Sequence, residues 1–199
     1  MTEHYYTSEP QSASRPEQFT TELRGHTLKF LTDRGVFARG RIDFGSELLI
    51  EHVQTAPDAK VLDIGCGYGP IGLSLAKESP AREVSLVDVN KRAVALTKKN
   101  AQLNQIDNVR IFESDLFERV TDKDYDLIVT NPPVRAGKRV VYALFEQSAA
   151  HLRPGGELWL VIQKKQGAPS AYKKLSACFS DVQEVAKKKG YRLYKAIKS

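Results

Sequence analysis

From Lys60 to Gln163 the chain alternates short apolar runs with amphipathic segments, and that alternation restricts its fold more than any other feature. The apolar runs are 60–64 (KVLDI), 83–89 (EVSLVDV), 109–114 (VRIFES), 125–130 (YDLIVT) and 157–163 (ELWLVIQ). Helical patterns occupy 70–78, 91–104 and 139–152 between them, and 169–179 after the last. Short runs of Val, Ile and Leu have the length of fully buried strands, whereas the longer segments carry helical spacing. In 91–104 that spacing turns Ala93, Leu96, Ala101 and Leu103 inward. Strands and helices in this order predict an α/β domain with a doubly wound, mostly parallel sheet, helices on both faces and right-handed crossovers. Residues 182–198 read as a closing hairpin around Gly190, which brings the sheet to seven strands.

Before Pro57 the pattern changes. Residues 1–18 are polar and aperiodic, and predict a flexible tail. Residues 19–56 predict an extension made of a β-hairpin, with its turn at Asp33-Arg34-Gly35, and a helix capped by Ser46. With 57–199 as the core, the chain from 19 to 199 reads as one domain, in keeping with 199 residues of which 41% are apolar. Cys66 and Cys178 are far apart and lack metal-ligand spacing, so neither a disulfide framework nor a metal site is expected. No stretch approaches the roughly 20 apolar residues of a membrane span. The first residues lack the apolar centre of a secretion signal. These features predict a cytoplasmic protein, a monomer or weak homodimer, and no membrane partner. The formal charge of +6 suits an anionic partner.

A parallel sheet binds ligands beyond the carboxyl ends of its strands, where strand order reverses. The loops after 60–64, 83–89, 109–114, 125–130 and 157–163 therefore share one crevice. The first is Asp63-Ile64-Gly65-Cys66-Gly67-Tyr68-Gly69-Pro70. Glycine at alternate positions lets backbone approach a ligand, here with Cys66 beside it. Asp88 ends the second strand, next to Val89, where its carboxylate can accept from both hydroxyls of a ribose. Dinucleotides and S-adenosylmethionine both use this pairing of glycine loop and acid. Asp63 separates them: a carboxylate there repels a pyrophosphate but attracts an amino group and a sulfonium. S-adenosylmethionine is thus the expected cofactor. In the third loop, Asp115 and the Leu116 amide are placed to read the adenine edge, with helix capping as the alternative role of Asp115.

The fourth strand ends in Asn131-Pro132-Pro133. Asp-x-Gly-x-Gly-x-Gly at 63–69, an acid at 88, Ser-Asp at 114–115 and Asn-Pro-Pro at 131–133 together resemble a class I S-adenosylmethionine-dependent methyltransferase. The flanks "GVFARGRIDFGSELLIEH" and "NPPVRAGK" narrow the resemblance to the methyltransferase small domain, as found in guanine-N2 methyltransferases of small-subunit ribosomal RNA. It implies methylation of an exocyclic amine on a base in RNA, with Asn131 lying against both cofactor and substrate. The family pattern has a base-stacking aromatic at the fourth position, where this chain has Val134. Phe37 is the candidate to face the base instead, with core packing as its alternative.

The chemistry explains the residue types. An exocyclic amine has a delocalised lone pair and must pyramidalise to attack a methyl group. Acceptors aimed at its hydrogens assist, and the Asn131 side-chain carbonyl and the Pro132 backbone carbonyl are the two candidates. A base must also leave its helix to enter the pocket, so Pro133 and Val134 are expected around it, and Arg135, Lys138 and Lys164 on the phosphates. Lys187-Lys188-Lys189 reads equally as an RNA contact or a solvated turn. Methylation of adenine, cytosine or a protein glutamine stays open, as does a non-catalytic RNA-binding role.

Overall fold

In the computed structural model, which describes Ser8 and residues 13–199, two antiparallel strands, β1 (Glu17–Leu23) and β2 (His26–Thr32), precede helix α1 (Phe44–His52). The alternating core follows as β3 (Lys60–Ile64), α2 (Pro70–Glu78), β4 (Glu83–Asp88), α3 (Lys91–Leu103), β5 (Val109–Glu113) and β6 (Tyr125–Thr130). It continues with α4 (Lys138–His151), β7 (Leu152–Gln163), α5 (Ala168–Cys178), β8 (Asp181–Lys188) and β9 (Tyr191–Ile197). The sheet order is β5-β4-β3-β6-β7-β9-β8, and β9 alone runs against its neighbours. The seven-stranded, mostly parallel sheet and the N-terminal hairpin are those expected from the sequence.

Period-two alternation explains why both faces are covered. Val61, Leu127 and Val129 point to the face that α1, α2 and α3 cover. Leu62, Ile64 and Ile128 point to the face of α4 and α5. The chain winds outward from β3 to β5, then returns to lay β6 on the other side of β3. That reversal opens the sheet between the ends of β3 and β6, where Thr130 Oγ1 donates to the Ile64 carbonyl at 2.8 Å.

Three local expectations are corrected. The hairpin turns at Arg24-Gly25, not at Asp33-Arg34-Gly35: both turn residues have positive φ (51° and 78°), the conformation that follows strand twist. Asp33 instead lies beyond the end of β2, buried, accepting from Ser14 Oγ (2.6 Å) and the Arg15 amide (2.5 Å). Helix α1 is capped by Asp43, whose carboxylate accepts from the Gly45 and Ser46 amides at 3.0 and 2.9 Å, while Ser46 lies inside the first turn. Leu103 is 40% exposed, because Asn100 takes the inward position near the end of α3.

Asn100 and the neighbouring Asn104 use that position to complete the edge of β2. Asn100 accepts from the Leu31 amide (2.7 Å) and donates to its carbonyl (3.0 Å); Asn104 does the same with Lys29 (2.8 and 2.7 Å). Two side-chain amides thus stand in for a missing strand. Most of the expected flexible tail lies outside the described residues; Glu17 and Gln18, assigned to it, open β1. Among the described residues no helix is long and apolar enough to cross a membrane, and no group of His, Cys, Asp and Glu is arranged to hold a metal ion.

Candidate active site

A cavity of about 310 Å³ opens at the carboxyl ends of β3, β4, β5 and β6. Its floor is the glycine loop. Gly65 and Gly67 have φ of +71° and +59°, and an added Cβ at either would meet nothing within 4 Å, so their backbone stands open to the cavity. The loop is held from behind: the Gly65 and Cys66 amides donate to the Val87 carbonyl (2.9 and 3.0 Å), and Thr97 Oγ1 donates to the Gly67 carbonyl (2.8 Å).

Two acids belong to this loop in different ways. Asp88 lines the cavity and accepts from the Gly67 and Asn90 amides at 2.9 and 2.8 Å. Burial pushes its carboxyl up to about 6 against those amide bonds. Asp63 is fully buried and lies beneath the loop; the cavity wall starts one residue later, at Ile64. Its Oδ2 accepts from the Gly72 amide at 2.8 Å, while its Oδ1 has no partner among the described residues. Burial pushes Asp63 up to about 7, opposed by the Gly72 amide and reinforced by the charge of Asp88. An orphaned buried carboxylate oxygen under an open glycine loop fits a cationic amino group arriving from above. Cys66 lines the cavity as a thiol, since burial and then the two acids hold its pKa well above the ordinary value.

The remaining expected cofactor residues divide. Val89, Asp115 and Leu116 line the cavity. No helix follows Leu116; the capping-type bond is made by Ser114, whose Oγ accepts from the Arg119 amide at 3.0 Å, so Asp115 is left at the cavity mouth. Gly69 does not line the cavity. Its role is packing at the start of α2, where a Cβ would stand 2.8 Å from a Leu73 methyl.

Asn131 enters from the end of β6. Its Nδ2 donates to Asp43 Oδ2 at 2.8 Å and lies 3.1 Å from Ser46 Oγ, so both elements of the α1 N-terminus hold this amide. Pro132 is buried, and its carbonyl accepts from the Val134 amide at 2.8 Å around Pro133 (φ −76°, ψ 70°), an inverse γ-turn. One of the two lone pairs expected for the substrate amine is therefore already in use. Beyond Asn131 the walls are apolar: Pro133, Ala136 and Val140 on one side, Val36, Phe37 and Ala38 on the other. Phe37 is 38% exposed. Val134 packs against the α4–α5 core and does not reach the cavity, so the fourth position of the motif is not a stacking position here.

Arg135, Lys138 and Lys164 also lie outside the cavity, exposed on its rim side and on the turn after β7. The Lys164 amide donates to the Gly190 carbonyl at 2.8 Å, which joins that turn to the tip of the β8–β9 hairpin. The tip leans on α1: Lys189 Nζ lies 4.6 Å from the centre of the Phe44 ring, and Tyr191 lies 5.5 Å from it, centre to centre. Gly45 permits this approach, since a Cβ there would fall 2.7 Å from the Tyr191 ring.

Sequence reasoning missed Asp43, Ser46, Val36, Ala38 and Val140. The signal for Asp43 was present: an Asp three residues before Ser46, ahead of the apolar run 48–50, is an N-cap in its own right. Nothing local pointed to the 88-residue span between Asp43 and Asn131.

Comparison with known proteins accords with this geometry. The chain is 50% identical over 200 residues to the uncharacterized protein YbxB of Bacillus subtilis (strain 168), with both chains covered in full. It is 30% identical to the ribosomal RNA small subunit methyltransferase C of Stutzerimonas stutzeri (strain A1501), over 95% of this chain and 57% of that one. Among solved structures, the T. thermophilus 16S rRNA N2 methyltransferase RsmC, in complex with AdoMet and guanosine, superposes with a TM-score of 0.83 at 31% identity. That match covers 94% of this chain and 51% of the other. The chain thus spans about half the length of the methyltransferases it matches. The family model described as "Methyltransferase small domain" matches residues 27–195, which takes in the hairpin strand β2, the glycine loop and Asn131 alike. With nearly the whole described chain inside that match, the protein belongs to the methyltransferase small domain family.

Proposed function

We propose that the protein transfers a methyl group from S-adenosylmethionine to an exocyclic amine of a base in RNA, and specifically to guanine N2 of small-subunit ribosomal RNA. The observation that carries this reading is the placement of the Asn131 carboxamide. It lines one cavity with the glycine loop and Asp88, and with the apolar Val36, Phe37, Ala38, Pro133, Ala136 and Val140. When bound, S-adenosylmethionine supplies an electrophilic methyl on a cationic sulfonium. Gly65 and Gly67 would hold its amino-acid portion, Asp88 its ribose hydroxyls, and Val89, Asp115 and Leu116 its adenine, while Asp63 would offset its amino group. Asn131 Oδ1 accepts from the substrate amine as positive charge develops on nitrogen, with the free lone pair of the Pro132 carbonyl as the second acceptor. The base would enter beside Pro133 and Phe37, which both line the cavity. The names of the relatives support RNA and guanine N2 as the substrate class.

The test is mass-spectrometric mapping of methylguanosine in ribosomal RNA from cells with and without the gene. One N2-methylguanosine of the small-subunit RNA is expected to vanish and to return with the wild-type gene. Loss of a methyladenosine or methylcytosine instead moves the activity to another base. An unchanged RNA together with calorimetric failure to bind S-adenosylmethionine leaves only an RNA-binding role.

We assign the RNA phosphates to three basic segments: Arg135 and Lys138, Lys164 and Lys165, and Lys187 to Lys189, of which the last two are joined by the Lys164–Gly190 backbone bond. None of these side chains forms an ion pair among the described residues, unlike nearby Arg192, which pairs with Glu184. Charge removal at Lys187, Lys188 and Lys189 together is expected to flatten the slope of log K against log salt for a single-stranded RNA by about 2, given about 0.7 per phosphate contact. Fluorescence anisotropy between low and high salt measures it, and an unaltered slope assigns the three lysines to solvent.

A further inference from the structure

We propose that Asp43 is a positioning residue that makes the site select an amine, by turning the Asn131 amide so that its carbonyl alone faces the substrate. The inference rests on the methyl-transfer reading above and adds to it a determinant of specificity. An Asn side chain has two ends of nearly equal shape, one a donor and one an acceptor. Which end faces the cavity decides whether a bound group must bring hydrogens or lone pairs.

Asp43 decides it chemically. A carboxylate oxygen offers only lone pairs, so the group 2.8 Å from Asp43 Oδ2 must be the NH2 end of Asn131. Ser46 Oγ, 3.1 Å away, takes the second hydrogen of the same nitrogen. With both N–H bonds directed into α1, Asn131 has no donor left for the cavity. Oδ1 remains, and it receives only an atom that carries hydrogen. A ring nitrogen with a lone pair, or a carbonyl oxygen, is repelled at that position.

The anchor is itself held. Asp43 accepts from the Gly45 and Ser46 amides at the N-terminus of a nine-residue helix, where the helix dipole favours negative charge. A charge-assisted bond from an amide N–H to a carboxylate also shifts electron density toward the amide oxygen. Oδ1 thereby becomes a stronger acceptor where charge appears in the transition state.

The test separates capping from positioning. Asp43→Ser keeps a hydroxyl that caps α1 but is too short to reach Asn131; Asp43→Asn keeps the size and loses the charge. For methylation of small-subunit ribosomal RNA prepared from cells lacking the gene, kcat is expected to fall about 100-fold in Asp43→Ser, and about tenfold in Asp43→Asn, as for loss of an oriented polar partner. KM for RNA and affinity for S-adenosylmethionine stay close to wild type. In 15N-edited NMR of the full chain, the Asn131 side-chain amide protons exchange slowly in wild type and rapidly in Asp43→Ser. Added to Asn131→Ala, Asp43→Ser costs no further activity. Wild-type kcat in Asp43→Ser, or unchanged Asn131 exchange, overturns the proposal while the methyl-transfer reading stands. A loss of kcat that comes with equal loss of thermal stability or cofactor affinity in both variants also overturns it, in favour of a structural cap. Full activity in Asn131→Ala overturns the proposal and the role of Asn131 while methyl transfer stands, and absence of methylation by the wild type overturns the methyl-transfer reading itself.

Discussion

Asn131→Ala is expected to lower kcat for methyl transfer by about 10²- to 10³-fold, the usual cost of deleting one preorganised polar group aimed at developing charge. Cofactor affinity should change by less than about tenfold, because in the proposed site the glycine loop and Asp88 would hold the larger part of the cofactor away from Asn131. The mutation also frees Asp43 Oδ2 and Ser46 Oγ, but both keep other partners or reach water at the cavity, so the fold should survive. Single-turnover kinetics with labelled cofactor, alongside calorimetry of cofactor binding, separate the two quantities. A drop in affinity that accounts for the whole loss of rate would reassign Asn131 from the amine to the cofactor.

The second large effect concerns pH. Asp63 and Asp88 have folded-state pKa values pushed up to about 7 and about 6, above the ordinary 3.8, chiefly by burial. A carboxyl with a raised folded pKa holds its proton more tightly in the folded chain than in the unfolded one. Its favourable contribution is complete below about pH 4 and is lost as pH rises through 6 to 7. The unliganded protein should therefore melt at a lower temperature at pH 8 than at pH 5. In the proposed site binding would run the other way: an ionised Asp63 would attract the cofactor amino group, and an ionised Asp88 would be the stronger acceptor for ribose hydroxyls. Affinity for S-adenosylmethionine should thus rise between pH 5.5 and 8, and saturating cofactor should remove much of the loss in melting temperature. Asp63→Asn should flatten both curves, since the amide cannot ionise, and Asp88→Asn should weaken binding by about 10- to 100-fold at pH 8. Calorimetry and thermal melts across that range decide it. An affinity that is flat with pH in the wild type would remove both acids from cofactor binding.

Both predictions act at the junction of two kinds of information. Segments 60–64, 70–78 and 125–130 match β3, α2 and β6 residue for residue, because period and Gly or Pro punctuation are local properties. The glycine loop, Asp88, Asp115 and Asn131 were legible for the same reason: each stands at the end of a readable strand, and strand ends converge. Errors came where the deciding partner was distant or the local rule was broken. Arg24 turns the hairpin with a positive φ that few residues other than glycine adopt, so the glycine-containing Asp33-Arg34-Gly35 looked the better turn. Leu103 faces solvent because Asn100 and Asn104 were needed to pair β2, a strand that lies 69 to 75 residues away. Val134 was expected beside the base from its place in a motif, whereas it packs against the α4–α5 core after the γ-turn at Pro133, and Ala136 and Val140 line the cavity.

The sequence by itself determined the sheet, the order in which its strands end, and the chemical types that gather there, since all of these follow from hydrophobic period and turn residues a few positions apart. Only the tertiary structure decided which way those groups face. Asp43 meets Asn131 across 88 residues, the lysines of the β8–β9 tip settle on Phe44, and Asp63 withdraws under its loop. A hydrogen bond or a desolvated carboxylate depends on what packing brings within about 3 Å, and no spacing along the chain encodes that distance.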